Sequence, residues 1–151
     1  VKLLDVNLLI YASHAASPHH DRARDWLTGV LVSGETVAVP WAVQLAFIRL
    51  TTNPRILDPA LTSTEAIAIV EAWRSLANVT TPEPTSRHLA LLGHLLAATS
   101  TAGNMVSDAH LAALAIEHGA TLCSADADFR RFPGLEWFDP LQPGTTGDVG
   151  P

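Results

Sequence analysis

Short apolar runs alternate with longer segments of helical period along most of the chain. Strands separated by helices of ten or more residues build βαβ units, so the fold class is α/β with a mostly parallel sheet wrapped by helices. Val1 to Val6 has strand length, and the polar turn at Asn7 to Ser13 reads as the start of a helix. Ser17-Pro18 is a helix entry, a side-chain cap with proline at the first helical position. Behind it Ala23, Trp26, Leu27, Val30 and Leu31 recur at three and four residues until Gly34. Thr36 to Val39 is a second strand ended by Pro40, and Trp41 to Thr52 a helix broken by Asn53-Pro54.

The pattern continues to the far end. Thr62 and Glu65 form a capping box that opens a helix running to about Leu76. Val79 to Thr81 is a short strand, and Ser86 to Thr99 has helical period. Asn104-Met105-Val106 is predicted as a strand, Ser107 as the cap of a helix through His118, and Gly119 as its stop. Thr121 to Cys123 is the next strand and Leu135 to Phe138 an edge strand. From Gln142 the chain turns to Gly, Pro, Thr and Asp, the composition of a disordered tail, which leaves one domain over residues 1–141.

Composition removes several functions. Lys2 is the only lysine among 151 residues, so neither a P-loop nor a lysine Schiff base is available. The single cysteine, Cys123, allows no intrachain disulfide and no cysteine-built zinc site, which suits a reducing cytoplasm. No apolar run reaches the ~18 residues of a membrane span, and the first residues lack a signal-peptide pattern. A net charge of −6 argues against a broad basic surface for nucleic acid.

The placement of the acids is more informative than their number. Asp5 lies near the carboxyl end of the first strand, Asp108 two residues beyond Val106, and Asp126 three beyond Cys123, with Asp128 further on. Ligands of an open parallel sheet bind at the carboxyl ends of its strands, so these acids should converge on one edge. Carboxylates that converge without a basic partner repel one another unless a divalent cation holds them. An oxygen-only donor set suits Mg²⁺ or Mn²⁺, and such a site hydrolyses phosphate esters. Taken singly, Asp108 could merely favour a helix N-terminus, and Asp126 and Asp128 could be turn and cap residues.

Three stretches carry a family resemblance: Lys2 to Tyr11 (KLLDVNLLIY), Ser107 to Gly119 (SDAHLAALAIEHG) and Ser124 to Gly134 (SADADFRRFPG). Together they resemble PIN-domain ribonucleases, and among these the VapC toxins of bacterial toxin–antitoxin pairs. The resemblance implies a three-layer sandwich, an Mg²⁺-dependent endoribonuclease with Mn²⁺ as a substitute, and a cognate VapB-type antitoxin. It also implies tRNA or ribosomal RNA as substrate, and a homodimer. By motif, Asp5, Asp108 and Asp126 are its metal ligands and catalytic acids, with Asp128 as an additional candidate. Asn7 and Ser124 match positions that hold the site's geometry.

The family commonly has a glutamate ahead of a Phe-x-Arg in the helix after the second strand. Here Gln44-Leu-Ala-Phe-Ile-Arg49 puts Ala46 there, which favours one ion over two. Gln44, two residues away along a helix, points elsewhere. Arg49 could steady a substrate phosphate or pair with a carboxylate inside the fold. His110 stands off the Asp108 face of its helix, and a structural or supporting role is expected of it. Phosphatases of the haloacid-dehalogenase type and phosphorelay receivers both need a lysine that is missing. The competing reading is a catalytically weak PIN-like protein acting mainly as a binding partner. With four acids assigned to one pocket, 11 acids remain against 9 bases, so the rest of the surface is close to neutral.

Overall fold

The computed structural model describes residues 1–99 and 105–143. The first strand, β1 (Lys2–Leu4), leads directly into α1 (Val6–Ser13), followed by α2 (His20–Val32) and β2 (Val37–Ala38). Then come α3 (Trp41–Thr51), α4 (Ser63–Arg74) and β3 (Val79–Thr80), and next α5 (His88–Thr99) and α6 (Val106–Glu117). The described chain ends with β4 (Thr121–Cys123), a 3-10 turn over Ala127–Arg131, and β5 (Trp137–Phe138). All five strands pair in parallel in the order β3-β2-β1-β4-β5, so the sheet expected to be mostly parallel is wholly so among the described residues.

That order produces the layers. From β1 the chain steps outward to β2 and β3, then crosses back over the sheet to β4 and β5. Parallel crossovers are right-handed, so the two directions of travel put their helices on opposite faces. Helices α1 to α4 form one outer layer, with α1 packed on α2 and α3, and α3 on α4. The other layer is the α5–α6 pair. Strands covered on both sides carry unbroken apolar runs, and Leu3, Leu4, Val37, Ala38, Leu122 and Cys123 are all essentially inaccessible. Burial pushes the Cys123 thiol up to about 12, so it is a packing residue.

The local signals explain most boundaries. Thr62 and Glu65 exchange both bonds of the capping box. Gly34 and Gly119 take φ of +81° and +61° just past helix ends, the left-handed conformation that glycine adopts without a Cβ penalty. No helix among the described residues is long and apolar enough to cross a membrane.

One predicted element is absent. Met105 has helical dihedrals and caps α6, and Val106 is already helical, so these two residues are not a strand. The cap is Met105 and not Ser107, which is the second helical residue. A parallel sheet buries its strands on both faces, whereas Val106 is 43% exposed; two adjacent apolar residues carried no strand period to begin with. Asn104 lies outside the described residues, as do all but the first two residues of the tail expected over residues 142–151. At the start of that segment Arg22 donates to the Gln142 carbonyl at 2.9 Å.

Candidate active site

Strands β1 and β4 are neighbours, yet the segments that follow them leave in opposite directions along the sheet. Their carboxyl ends therefore flank a topological switch point, the place where open α/β sheets bind ligands. Asp5 follows β1 directly. Its backbone N–H continues the ladder to the Cys123 carbonyl at 3.0 Å, while its Oδ1 caps α1 by accepting from the Val6 N–H at 2.7 Å. The side chain is only 8% exposed, an unusual position for an acid.

Ser124 follows β4 and is completely buried. Its hydroxyl donates to Asp5 Oδ2 at 2.7 Å and accepts from Asn7 Nδ2 at 3.1 Å and from the Asp126 N–H at 3.0 Å. A serine hydroxyl has one proton and two lone pairs. Two N–H donors fill the lone pairs, so the proton must point at Asp5, and that bond favours the ionised carboxylate. Asn7 closes the circuit by accepting from the Ala125 N–H at 3.4 Å. Asp126 caps the 3-10 turn, its Oδ1 accepting from the Asp128 N–H at 2.9 Å.

Asp108 lies on the first turn of α6, as expected, although Met105 and Val106 ahead of it are not a strand. Its charge is felt by the same group. Burial and then the charges of Asp5, Asp126 and Asp128 push its carboxyl up to about 6. Asp5 is also raised, chiefly by burial and further by Asp126, against the opposing bonds from Ser124 and Val6. Among the described residues no Lys, Arg or His forms an ion pair with Asp5, Asp108 or Asp126. Asp128 differs: it is exposed and lies 3.5 Å from Arg131. No three His, Cys, Asp or Glu side chains among the described residues close into a finished ligand cage. The acids share a field while standing apart.

The remaining candidates sort by contact. Arg49 is exposed on α3 and has no carboxylate partner among the described residues. Gln44 is buried and turned away, donating to Val39 O at 2.7 Å and Thr81 Oγ1 at 3.0 Å and accepting from Arg74 at 3.2 Å. Ala46 supplies no donor. His110 faces α5, where its Nδ1 meets His88 Nε2 at 2.9 Å, and His88 Nδ1 meets Glu117 at 2.7 Å. One contact had no sequence signal: Trp137 Nε1 donates to the Ser124 carbonyl at 3.1 Å across the β4–β5 pair.

The raised acids fix how the metal-free fold responds to pH. A raised carboxyl holds its proton in the folded state at a pH where the unfolded chain has released it, so stability falls as pH climbs. For Asp108 the window runs from about 4, the unfolded value, to about 6. Glu35, bonded to Lys2, is lowered, and so is Glu117, whose bonds from Thr85 and His88 outweigh its burial. Their stabilisation is lost only as pH falls below about 4.5. His110, lowered by burial and then by the neighbouring His88, works the other way and adds stability as pH rises toward 6.5. The test is therefore a difference: in EDTA the urea midpoint of wild type relative to Asp108→Asn should decline between pH 4.5 and 6, and a difference that rises across that interval contradicts the unpaired-acid geometry.

Comparison with known proteins identifies the family. The PIN domain family model matches residues 2–135. Ribonuclease VapC37 of Mycobacterium tuberculosis is 39% identical over 140 residues, which is 93% of this chain and 97% of that protein. Ribonuclease VapC33 of the same species is 36% identical over 138 residues, 91% and 96% of the two chains. A chain in the structure of VapBC2 from Rickettsia felis, solved with a DNA fragment from its promoter, superposes with a TM-score of 0.66. That match has 20% identity and covers 91% of this chain and 97% of the other. The three-layer fold, the acids at its switch point and these matches establish that the chain belongs to the PIN domain family, among its VapC members.

Proposed function

We propose that this chain is an Mg²⁺-dependent endoribonuclease toxin, accepting Mn²⁺ as a substitute, held in check by a cognate VapB-type antitoxin. The observation that carries the proposal is the set of unpaired acids at the β1–β4 switch point, organised around a serine with no bonding capacity left over. Its two most perturbed carboxyls are both raised, first by burial and then by the charge of neighbouring acids, a repulsion that a bound cation would relieve. All the donors are oxygens, as Mg²⁺ prefers, and an open arrangement suits an ion that keeps several waters and shares substrate phosphate. Asp5, Asp108 and Asp126 would hold the ion, with Asp128 able to swing from Arg131 as a further ligand. A divalent cation held there would supply Lewis-acid chemistry, lowering the pKa of water and offsetting charge on the leaving oxygen of a phosphodiester.

The chain's own part is positioning. Ser124 and Asn7 tie Asp5 to the Asp126 turn, so acids separated by most of the sequence keep a fixed spacing. The exposed Arg49 guanidinium is available to a substrate phosphate. With Ala46 where relatives of the family commonly have a glutamate, one ion is the working number. The same reading has the protein act in the cytoplasm on tRNA or ribosomal RNA, and as a homodimer. Trp41 and Leu45, one turn apart on α3, stay 45% and 60% exposed, an apolar stripe of the kind that a protein partner covers.

Purified protein should cleave total tRNA or ribosomal RNA in Mg²⁺ or Mn²⁺ and stop in EDTA. Asp5→Ala and Asp108→Ala should abolish cleavage while leaving the circular dichroism spectrum unchanged. Equal cleavage by wild type and both variants would mean a contaminating nuclease and end the assignment. Antitoxin binding without cleavage in either metal would select the binding-partner reading instead.

A further inference from the structure

Two contacts of Trp137 have no part in the proposed nuclease chemistry. Its indole N–H donates to the Ser124 carbonyl, and the Arg130 guanidinium sits over its ring, 4.9 Å from the centroid. Ser124 immediately precedes the turn that presents Asp126, and Arg130 belongs to the 3-10 turn that Asp126 caps. One indole thus holds both ends of the segment between them. The backbone ladder adds to this, since Trp137 is in register with Leu122 and the Ser124 N–H donates to the Phe138 carbonyl at 3.0 Å.

Every polar group of Ser124 is then committed. Its hydroxyl faces Asp5, Asn7 and Asp126, and its N–H and carbonyl face β5. Tension on the acid side is resisted from the strand side. That arrangement matters because Asp126 sits on a turn with little regular structure of its own, at the sheet's edge. We infer that Trp137 is a positioning residue for the acid site: through the Ser124 carbonyl and Arg130 it fixes where the Asp126 carboxylate stands relative to Asp5. The inference rests on the proposed nuclease reading for its consequence in catalysis, though not for its structural content.

Trp137→Phe is the first variant, because it keeps an aromatic ring for Arg130 to stack on while removing the N–H together with the five-membered part of the indole; Arg130→Ala, which leaves the indole itself intact, is its control. In metal-free protein, amide hydrogen exchange should accelerate at Asp126 and Asp128, whose N–H groups bond to Ser124 Oγ and Asp126 Oδ1, and stay unchanged at Leu3 and Leu122. In the active protein, the Mg²⁺ concentration for half-maximal cleavage should rise roughly tenfold, the lower end of what losing an outer-shell partner costs, with KM for RNA unchanged. The wild-type Trp137 indole N–H resonance should shift on Mg²⁺ titration while those of Trp26, Trp41 and Trp73 do not. Arg130→Ala should reproduce the exchange change more weakly.

Unchanged exchange at Asp126 together with an unmoved Mg²⁺ dependence would reduce Trp137 to packing of the edge strand. So would a uniform rise in exchange across the sheet. If the wild type fails to cleave RNA in either metal, the nuclease reading falls, and the exchange experiment still decides whether Trp137 holds the acid-bearing turn.

Discussion

Asp108→Asn is expected to stabilise the metal-free protein while removing its nuclease activity. Asparagine keeps the shape and loses the charge that burial and three neighbouring carboxylates oppose. A shift from the ordinary carboxyl range to about 6 would correspond to nearly 3 kcal/mol for a fully shielded group. Asp108 is only half-buried, and solvent screening reduces this to about 1 kcal/mol. For a chain of this size that raises Tm by roughly 2–4 °C. The gain is present above about pH 6 and disappears below about pH 4, where the wild-type carboxyl is also neutral. Cleavage should fall more than a hundredfold, beyond the range for loss of a mere outer-shell partner. Saturating Mg²⁺ should reverse the stability order, since binding stabilises only the protein that binds. A variant less stable than wild type at pH 7.5 in EDTA would show that Asp108 has a favourable partner, and the cation-holding role would lose its physical basis.

The parts of this site that were legible in the sequence are those that local pattern controls. Asp5 and Asp126 follow strands whose apolar residues are buried on both faces, and the parallel sheet puts such positions on one edge without further information. Asp108 was placed in the right neighbourhood for a partly wrong reason. Met105-Val106 looks like strand, yet Met105 serves as the buried anchor of α6 and Val106 faces solvent. The acid still arrives because a helix's first turn, like a strand's end, points its side chains toward the sheet's carboxyl edge. Gln44 was expected to turn away from its spacing to Ala46, and it does. Ser124 and Asn7 were identified only through family resemblance, and their bonding pattern was hidden. Hydrogen bonds between residues 117 and 119 apart leave no periodicity to read. Trp137 was invisible for the same reason. A tryptophan in an edge strand is ordinary, and only the position of its N–H makes this one different.

Ser124→Ala should have the opposite profile to Asp108→Asn, losing stability and activity together. The substitution removes one oxygen and opens almost no cavity, so polar accounting dominates. Asp5 Oδ2 loses its donor, and the Asn7 amide and Asp126 N–H lose their acceptor. A buried group left unpaired costs about 1–3 kcal/mol, less where water can reach it. Asn7 and Asp126 are half-buried, so a total near 3 kcal/mol, or roughly 6–12 °C in Tm, is the expected loss. Without the serine proton the Asp5 carboxyl moves further up, because that bond is the largest of the effects holding it down. Mg²⁺ affinity should fall ten- to a hundredfold. The decisive measurement is a double-mutant cycle with Asn7→Ala. Once Ser124 is gone, the Asn7 amide is an unpaired donor, and deleting it should cost less than it does in the wild type. The double variant should then be more stable than the sum of the singles by about 1 kcal/mol. Additivity within about 0.5 kcal/mol would mean that the two side chains are independent, and Ser124 would not be the point through which Asp5 and Asp126 are held together.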